Sequence, residues 1–382
     1  MMDTYLKVLT QIKGKLENDL VIGGNLEQYE LVSVFFGGGT PSTMHPLAME
    51  KIISHGLEMF GKSREDGVEI SMEANPTSIE YGKLKDFHRA GINRVSIGVQ
   101  SFDSECLKSL GREHSIEDAL NAIDIARNTF GEDSISIDLM FGLAQHKNNP
   151  SIWKNSLAKA LSLNLSHLSL YQLTIEKGTK FHRLFNVEKD LPNEEESSHL
   201  YEFTIEECKK HGLEMYEVSN FAKPGKECKH NIMYWKSIHD FIGVGPGAHG
   251  RLTNHNTRER FSTIQVMRPE DWIEQVDNQL NHIHKPSLLF GDIKEEKLTE
   301  EQQIEELFMM GLRMPKEGVS ESSLRAINPE LSFEKLLNAN MIKQLENHGY
   351  IKLIKEENDK RIVATMSGIS VLDILIANLL SK

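Results

Sequence analysis

Cysteine is scarce in this 382-residue chain: there are three, Cys106, Cys208 and Cys228, separated by 102 and 20 positions. No pair has the spacing of a zinc ribbon, and the set is too sparse for the disulfide framework of a small secreted scaffold. Closely spaced thiolates for an iron–sulfur cluster are absent as well. Long apolar runs are also missing, and none approaches the roughly 18 residues that cross a bilayer. The first twenty residues show no basic segment followed by an apolar stretch, so a signal peptide is not expected. A reducing, cytoplasmic setting is the default expectation. Basic residues are in deficit, 43 against 56 acidic ones, for a formal net charge of -13. That balance argues against nucleic acid or an anionic membrane as the main partner.

What is present points to a globular protein. Hydrophobic residues make up 39% and charged residues 26%, which is ordinary for a folded chain. The length suggests two or three domains.

The first segment has a helical period, with Tyr5, Leu9, Ile12, Leu16 and Leu20 on one face behind a possible Asp3 cap. Short apolar runs then alternate with amphipathic stretches. The runs cover 31–36, 68–72, 95–99, 135–141 and 168–175. Thr77 with Glu80, and Ser115 with Asp118, read as helix-starting capping pairs. Gly91 and Gly131 sit where helices should end. Five strand–helix units of this kind predict a parallel α/β domain. The nearly continuous apolar runs predict strands covered on both faces. An open doubly wound sheet and a β/α barrel both fit this pattern. Polar groups follow or fall within successive strands, as in a barrel with one functional mouth; an open sheet would gather its site at one switch point.

Beyond about residue 186 the pattern weakens. A polar helix is expected over 194–210, then a stretch dense in Gly, Pro, His and aromatics over 219–250, and a helix near 269–282. The last part, 294–382, reads as a separate module. Its expected order is a helix over 300–312, a helix over 333–348, a hairpin of 350–354 and 361–365 around Asn358-Asp359, and a helix over 369–380. That order is winged-helix-like, but with 12 basic and 15 acidic residues a packing or lid role is favoured over DNA binding.

Four motifs carry chemistry. Gly37-Gly38-Gly39-Thr40-Pro41 follows a strand; glycines let backbone approach a ligand and free N–H groups to bond it. It lacks the Lys of a phosphate-binding loop and the spacing of the dinucleotide fingerprint, and a tight strand–helix turn explains it equally well. Glu73, Gln100, Arg112 and Asp138 form a series of polar groups in, at or after strand ends. Two carboxylates suit an ammonium and ribose hydroxyls, and Arg suits a carboxylate, so together they can hold a zwitterion carrying a ribose. Singly, each reads more simply as a cap or a surface ion pair. His230-Asn231-Ile232-Met233-Tyr234-Trp235, close to Cys228, offers an imidazole for iron and aromatics for a flat macrocycle. Gly243-Val244-Gly245-Pro246-Gly247-Ala248-His249-Gly250 is a second glycine-rich loop, weak on its own. Cys106 and Cys208 read as ordinary packing or surface residues.

Taken in order, FFGGGTPS, SMEANP, GINRVSIGVQSF, LGREHS, SIDLMFGL, LSLYQLT, HNIMYW and GVGPGAHG resemble the HemN/HemW family of radical S-adenosylmethionine (SAM) proteins, from about Asp3 to the end. The His-Asn-x-x-Tyr-Trp element and the Gly-Ala-His-Gly ending resemble the heme-chaperone branch more than the oxygen-independent coproporphyrinogen III oxidases. The resemblance implies a partial (β/α)6 radical-SAM barrel over 1–185, a barrel-completing region over 186–293, and a small C-terminal α+β module over 294–382. It implies SAM across the strand ends, with Gly38, Gly39 and Thr40 along its methionine moiety and Glu73, Gln100, Arg112 and Asp138 on the rest. Leu173 and His249 match further contact positions. It implies heme at His230, and delivery of heme to an acceptor protein such as a respiratory heme enzyme. The alternative within the family is a radical enzyme of porphyrin biosynthesis of the oxidase type.

One departure is large. The family carries a Cys-x3-Cys-x2-Cys loop whose thiolates hold a [4Fe–4S] cluster. The three cysteines of this sequence cannot supply it. The expectation is a chain that starts at the helix following that loop, lacks the first barrel strand, exposes an unpaired strand edge and does not cleave SAM as written.

Overall fold

A computed structural model describes residues 2–17, 29–77, 82–281, 292–357 and 359–380. The chain forms two compact units. One comprises Ser33–Met49 and Glu69–His230; the other comprises Met1–Val32, Glu50–Val68 and Asn231–Lys382.

The first of these holds a seven-stranded sheet of β1 (Ser33–Phe36), β2 (Glu69–Ala74), β3 (Arg94–Gln100), β4 (Ile135–Phe141), β5 (His167–Gln172), β6 (Glu214–Glu217) and β7 (Asn220–Ala222). Its order is β1-β2-β3-β4-β5-β7-β6. Strands β1 to β5 run parallel, joined by crossovers that include the helices Leu84–Ala90, Ile116–Phe130 and Ser151–Ser162. Strands β7 and β6 close the far side antiparallel. All five expected strands form. β1 ends the sheet and pairs with β2 alone among the described strands.

Local chemistry sets the helix boundaries. Ser115 and Asp118 form a reciprocal capping box at the start of Ile116–Phe130. Gly91 and Gly131 end their helices as expected. Glu80 of the other expected pair lies outside the described residues.

The two faces of the parallel sheet differ. Ile70, Met72, Val95, Ile97, Ile137, Leu139, Leu168 and Leu170 are nearly solvent-free, and Ile116–Phe130 packs on β3 and β4. Each such side chain contributes about 1.5–3 kcal/mol by burial. On the opposite face the expectation of apolar strands fails. In register, Ser71 sits beside Arg94, Glu73 beside Ser96, Ser96 beside Ser136, Ser136 beside His167, and Asp138 beside Ser169. Neighbours in parallel register share a face, so this face is lined with polar groups.

The second unit begins with the helix Met2–Glu17. Val8 and Ile12 pack with Met59, Leu252, Val266, Trp272 and Val276. The buried seam is Thr4, Val8 and Ile12, with Tyr5 and Leu9 half-buried at its side. It is therefore turned slightly from the expected stripe; the Leu16 side chain and Leu20 lie outside the described residues. A three-stranded antiparallel sheet follows, made of β8 (His249–Thr253), β9 (Arg260–Gln265) and β10 (Asp292–Lys297), with the helix Pro269–Asn281 after β9.

The C-terminal part has the winged-helix-like order. The helix Glu300–Gly311 precedes a sheet of β11 (Val319–Ser320), β12 (Ile351–Lys355) and β13 (Lys360–Ala364), ordered β11-β13-β12. The single helix expected over 333–348 is two, Phe333–Leu336 and Ala339–Asn347, because the Asn338 side chain accepts from the N–H groups of Asn340 and Met341 and starts the second. Asn358 of the expected turn lies outside the described residues. No helix among the described residues is long and apolar enough to cross a membrane.

Candidate functional site

At the C-terminal end of β1 the chain turns through Gly38 (φ 79°) and Gly39 (φ 58°). These are backbone conformations that L side chains rarely adopt. A Cβ on either would meet nothing within 4 Å, so both present bare backbone to open space. The Gly38 N–H donates to Glu73 Oε2 at 3.3 Å, tying the turn to the end of β2. Thr40 precedes the short helix Pro41–Thr43 and makes no side-chain capping bond.

Asp138 stands on β4 and accepts from Ser96 Oγ of β3 at 2.8 Å. Burial raises its carboxyl to about 6; hydrogen bonds from Ser96 and Ser169 oppose the rise, the nearby Glu73 adds to it, and Arg112 opposes it. Arg112 is half-buried and donates to Asn75 Oδ1 at 3.4 Å. Burial lowers its pKa, and Asp138 opposes that shift. Gln100 ends β3 at φ 66° and is buried. Leu173, just beyond β5, donates its N–H to the Phe141 carbonyl. The structure thus joins Gly38 to Glu73 by a hydrogen bond and couples Glu73, Arg112 and Asp138 electrostatically. His249 belongs to the other unit, where it opens β8.

This donor set fits SAM. Bare backbone at Gly38 and Gly39, two carboxylates and one guanidinium match an ammonium, a carboxylate and ribose hydroxyls. The three thiols, at 106, 208 and 228, do not have the Cys-x3-Cys-x2-Cys spacing of the loop that holds the family's [4Fe–4S] cluster. Burial pushes Cys106 and Cys208 up to about 12, with nearby acidic residues adding to the rise, and Cys228 faces a carboxylate and an imidazole.

A second constellation lies toward the opposite end of β2. Glu69 opens that strand, about 13 Å along it from Glu73 at 3.3 Å per residue. Burial works to raise the Glu69 carboxyl, but hydrogen bonds from His230 and from the Lys229 and His230 backbone, with Arg94 beside it, hold it at about 2. Arg94 Nη1 lies 3.4 Å from Oε2, and Nη2 donates to the Lys226 carbonyl. The His230 N–H donates to Oε1 at 3.1 Å. His230 Nδ1 lies 2.9 Å from Ser71 Oγ and 3.0 Å from Cys228 Sγ. The Phe35 ring stacks on the imidazole, with centroids 4.0 Å apart and an interplanar angle of 13°.

Glu69, Ser71, Ser96, Ser169 and Phe35 were not singled out as site residues from sequence, nor was Asn75 beyond its place in the Glu73-Ala74-Asn75-Pro76 run. A signal existed for most of them. Glu69-Ile70-Ser71-Met72-Glu73 and Ser136-Ile137-Asp138-Leu139 alternate polar and apolar, the mark of a strand with one polar face.

The pattern of the Radical SAM superfamily matches residues 20–147. The mitochondrial "radical S-adenosyl methionine domain-containing protein 1" of Danio rerio is 34% identical over 356 residues, covering 92% of this chain and 75% of that protein. The heme chaperone HemW of Bacillus subtilis is 34% identical over 312 residues, 81% of this chain and 76% of that one. HemW of Escherichia coli is 40% identical over 238 residues, 62% of this chain and 60% of that one. The solved structure of E. coli coproporphyrinogen III oxidase HemN, a radical SAM enzyme, superposes with a TM-score of 0.73 at 20% identity, covering 100% of this chain and 83% of that one. The fold is therefore the partial β/α barrel of radical SAM proteins. Within that class, the chain belongs to the HemN/HemW family.

Proposed function

We propose that this protein binds heme through His230 and passes it to an acceptor protein, on a scaffold that also binds SAM. The observation that carries the reading is the fixation of His230. Its Nδ1 is held by Ser71 and faces Glu69, and its ring rests on Phe35. An imidazole held through one nitrogen presents the other, Nε2, in a fixed direction, and a carboxylate near Nδ1 raises the basicity of such a ligand. The side chain is 26% exposed, so part of the imidazole is open to solvent. Two HemW relatives bear the name heme chaperone, which supports the same assignment.

Gly38, Gly39, Thr40, Glu73, Gln100, Arg112 and Asp138 form the proposed SAM site, with Leu173 as a further contact. Within it, Glu73 and Asp138 accept hydrogen bonds and Arg112 meets a carboxylate. The heme assignment is tested by titrating the purified chain with hemin. A shifted Soret band is expected in the wild type and its loss in His230→Ala; an unchanged spectrum in that variant rejects His230 as the ligand.

A further inference from the structure

Three potential ligand atoms converge on one point of the polar sheet face. Cys228 Sγ lies 3.2 Å from Glu69 Oε1 and 3.0 Å from His230 Nδ1, and His230 Nδ1 lies 3.6 Å from Glu69 Oε1. Zinc binds S, N and O donors at about 2.0–2.3 Å in a tetrahedron, whose edges are about 3.3–3.8 Å. The observed triangle is within about 0.5 Å of such a face on every edge. Glu69 and Cys228 are buried, and His230 is half-buried. Among the described residues this is the one group of three or more His, Cys, Asp or Glu side chains with ligand atoms so gathered.

We propose that Glu69 Oε1, Cys228 Sγ and His230 Nδ1 form a binding site for one borderline divalent cation of the zinc type. The ligand chemistry selects the class. Thiolate and imidazole disfavour magnesium and calcium, which take oxygen ligands, and a mixed S, N, O set suits zinc. The surrounding residues already orient the ligands. Arg94 holds Oε2 and leaves Oε1 turned to the thiol, and the stacked Phe35 ring orients the imidazole, whose Nδ1 exchanges the Ser71 hydroxyl for the cation. Charge also balances: one thiolate and one carboxylate neutralise the dication. Loading deprotonates the Cys228 thiol, and that proton leaves to solvent. Three protein ligands leave a fourth position for water or an incoming group.

The site goes beyond the heme reading and shares His230 with it. A cation on Nδ1 takes the nitrogen that, in the heme-bound form, is held by Ser71 and Glu69. Cation and heme therefore compete.

Cobalt(II) is the probe, added to the heme-free full chain. Binding gives a thiolate-to-cobalt charge-transfer band in the near ultraviolet that zinc displaces. Cys228→Ser abolishes the band, and Cys208→Ser leaves it unchanged. A wild-type chain without the band, or a Cys228→Ser variant that keeps it, overturns the site. If Cys228→Ser does not fold, zinc protection of wild-type Cys228 from iodoacetamide, read by mass spectrometry, decides instead. A tenfold or greater slowing of labelling is expected, and an unchanged rate overturns the site. In separate samples, a cobalt band in the heme-free chain with no Soret shift when hemin is added to the metal-free chain rejects the heme reading alone; a Soret shift with no cobalt band rejects the cation site alone.

Discussion

Ser96 on β3 donates to Asp138 on β4 across 2.8 Å, fixing a carboxyl in the middle of the sheet's polar face. Burial keeps that carboxyl at about 6, above its ordinary 3.8. The folded state therefore holds the proton more tightly than the unfolded state. The sign follows: stability falls as pH rises from about 4 to about 6, and above that the full penalty stands. Asp138→Asn removes the charge and can still accept from Ser96. It should stabilise the chain by about 1–3 kcal/mol at pH 7 and by almost nothing below pH 4. Urea denaturation of both proteins at the two pH values checks this. The same variant should bind SAM at least about tenfold more weakly, because a charge-assisted hydrogen bond is lost; calorimetry reads that loss.

Arg94 and Glu69 form an ion pair that is almost solvent-free, with side-chain exposures of 10% and 8%. Arg94→Met leaves a buried carboxylate with less compensation, a change that costs about 3 kcal/mol or more. Arg89 and Asp86 are closer, at 2.8 Å, but 76% and 53% exposed. Arg89→Met should stay within about 0.5 kcal/mol of wild type. Chemical denaturation of both variants tests whether burial, rather than distance, sets the worth of these pairs; equal losses would refute it.

The five parallel strands were legible because each carries closely spaced apolar residues, and β1 to β4 are followed by Gly37, Asn75, Ser101 and Gly142. β6 to β11 were not, β8 to β10 lying in or beside stretches read as glycine-rich or polar. Glu214–Glu217, Asn220–Ala222 and Val319–Ser320 are four, three and two residues long, too short to show a period, and their pairing is set by β5 and β13 instead. Glu73, Gln100 and Asp138 were readable as polar groups in or at the ends of strands. The surroundings of His230 were not, because Glu69 and Ser71 lie about 160 positions away in sequence and reach it only through the fold. The polar face went unread because Ile70, Met72, Ile137 and Leu139 dominated the impression of apolar runs, although the alternation itself is written in the residues.

Gly38 offers a test of the turn after β1. Its φ of 79° and its N–H bond to Glu73 leave no low-cost place for a side chain. Gly38→Ala should cost about 1–2 kcal/mol from the left-handed backbone alone, since no atom lies within 4 Å of the added carbon. If the turn approaches a ligand, SAM affinity in calorimetry should fall by more than this stability loss implies. Asn tolerates the left-handed region better than Ala, so Gly38→Asn should recover stability but not affinity. Recovery of both would mean that the glycine serves the turn only.

The second unit has its own polar anchor. Trp272 is fully buried against Val8 and Ile12, and its indole N–H donates to Gln265 Oε1 at 2.7 Å. Gln265 ends β9 and is also fully buried. This bond ties the helix Pro269–Asn281 to the strand before it through a donor that only Trp supplies at that depth. Trp272→Phe keeps most of the apolar volume but withdraws the donor from a buried acceptor. The expected cost is about 1–3 kcal/mol for the weakened acceptor, with a smaller addition for the cavity. Pairing it with Gln265→Leu separates the two contributions. If the hydrogen bond dominates, the double variant should be destabilised by less than the sum of the singles, because neither partner then waits for the other. Denaturant midpoints for the three variants decide it, and strict additivity would assign the loss to packing alone.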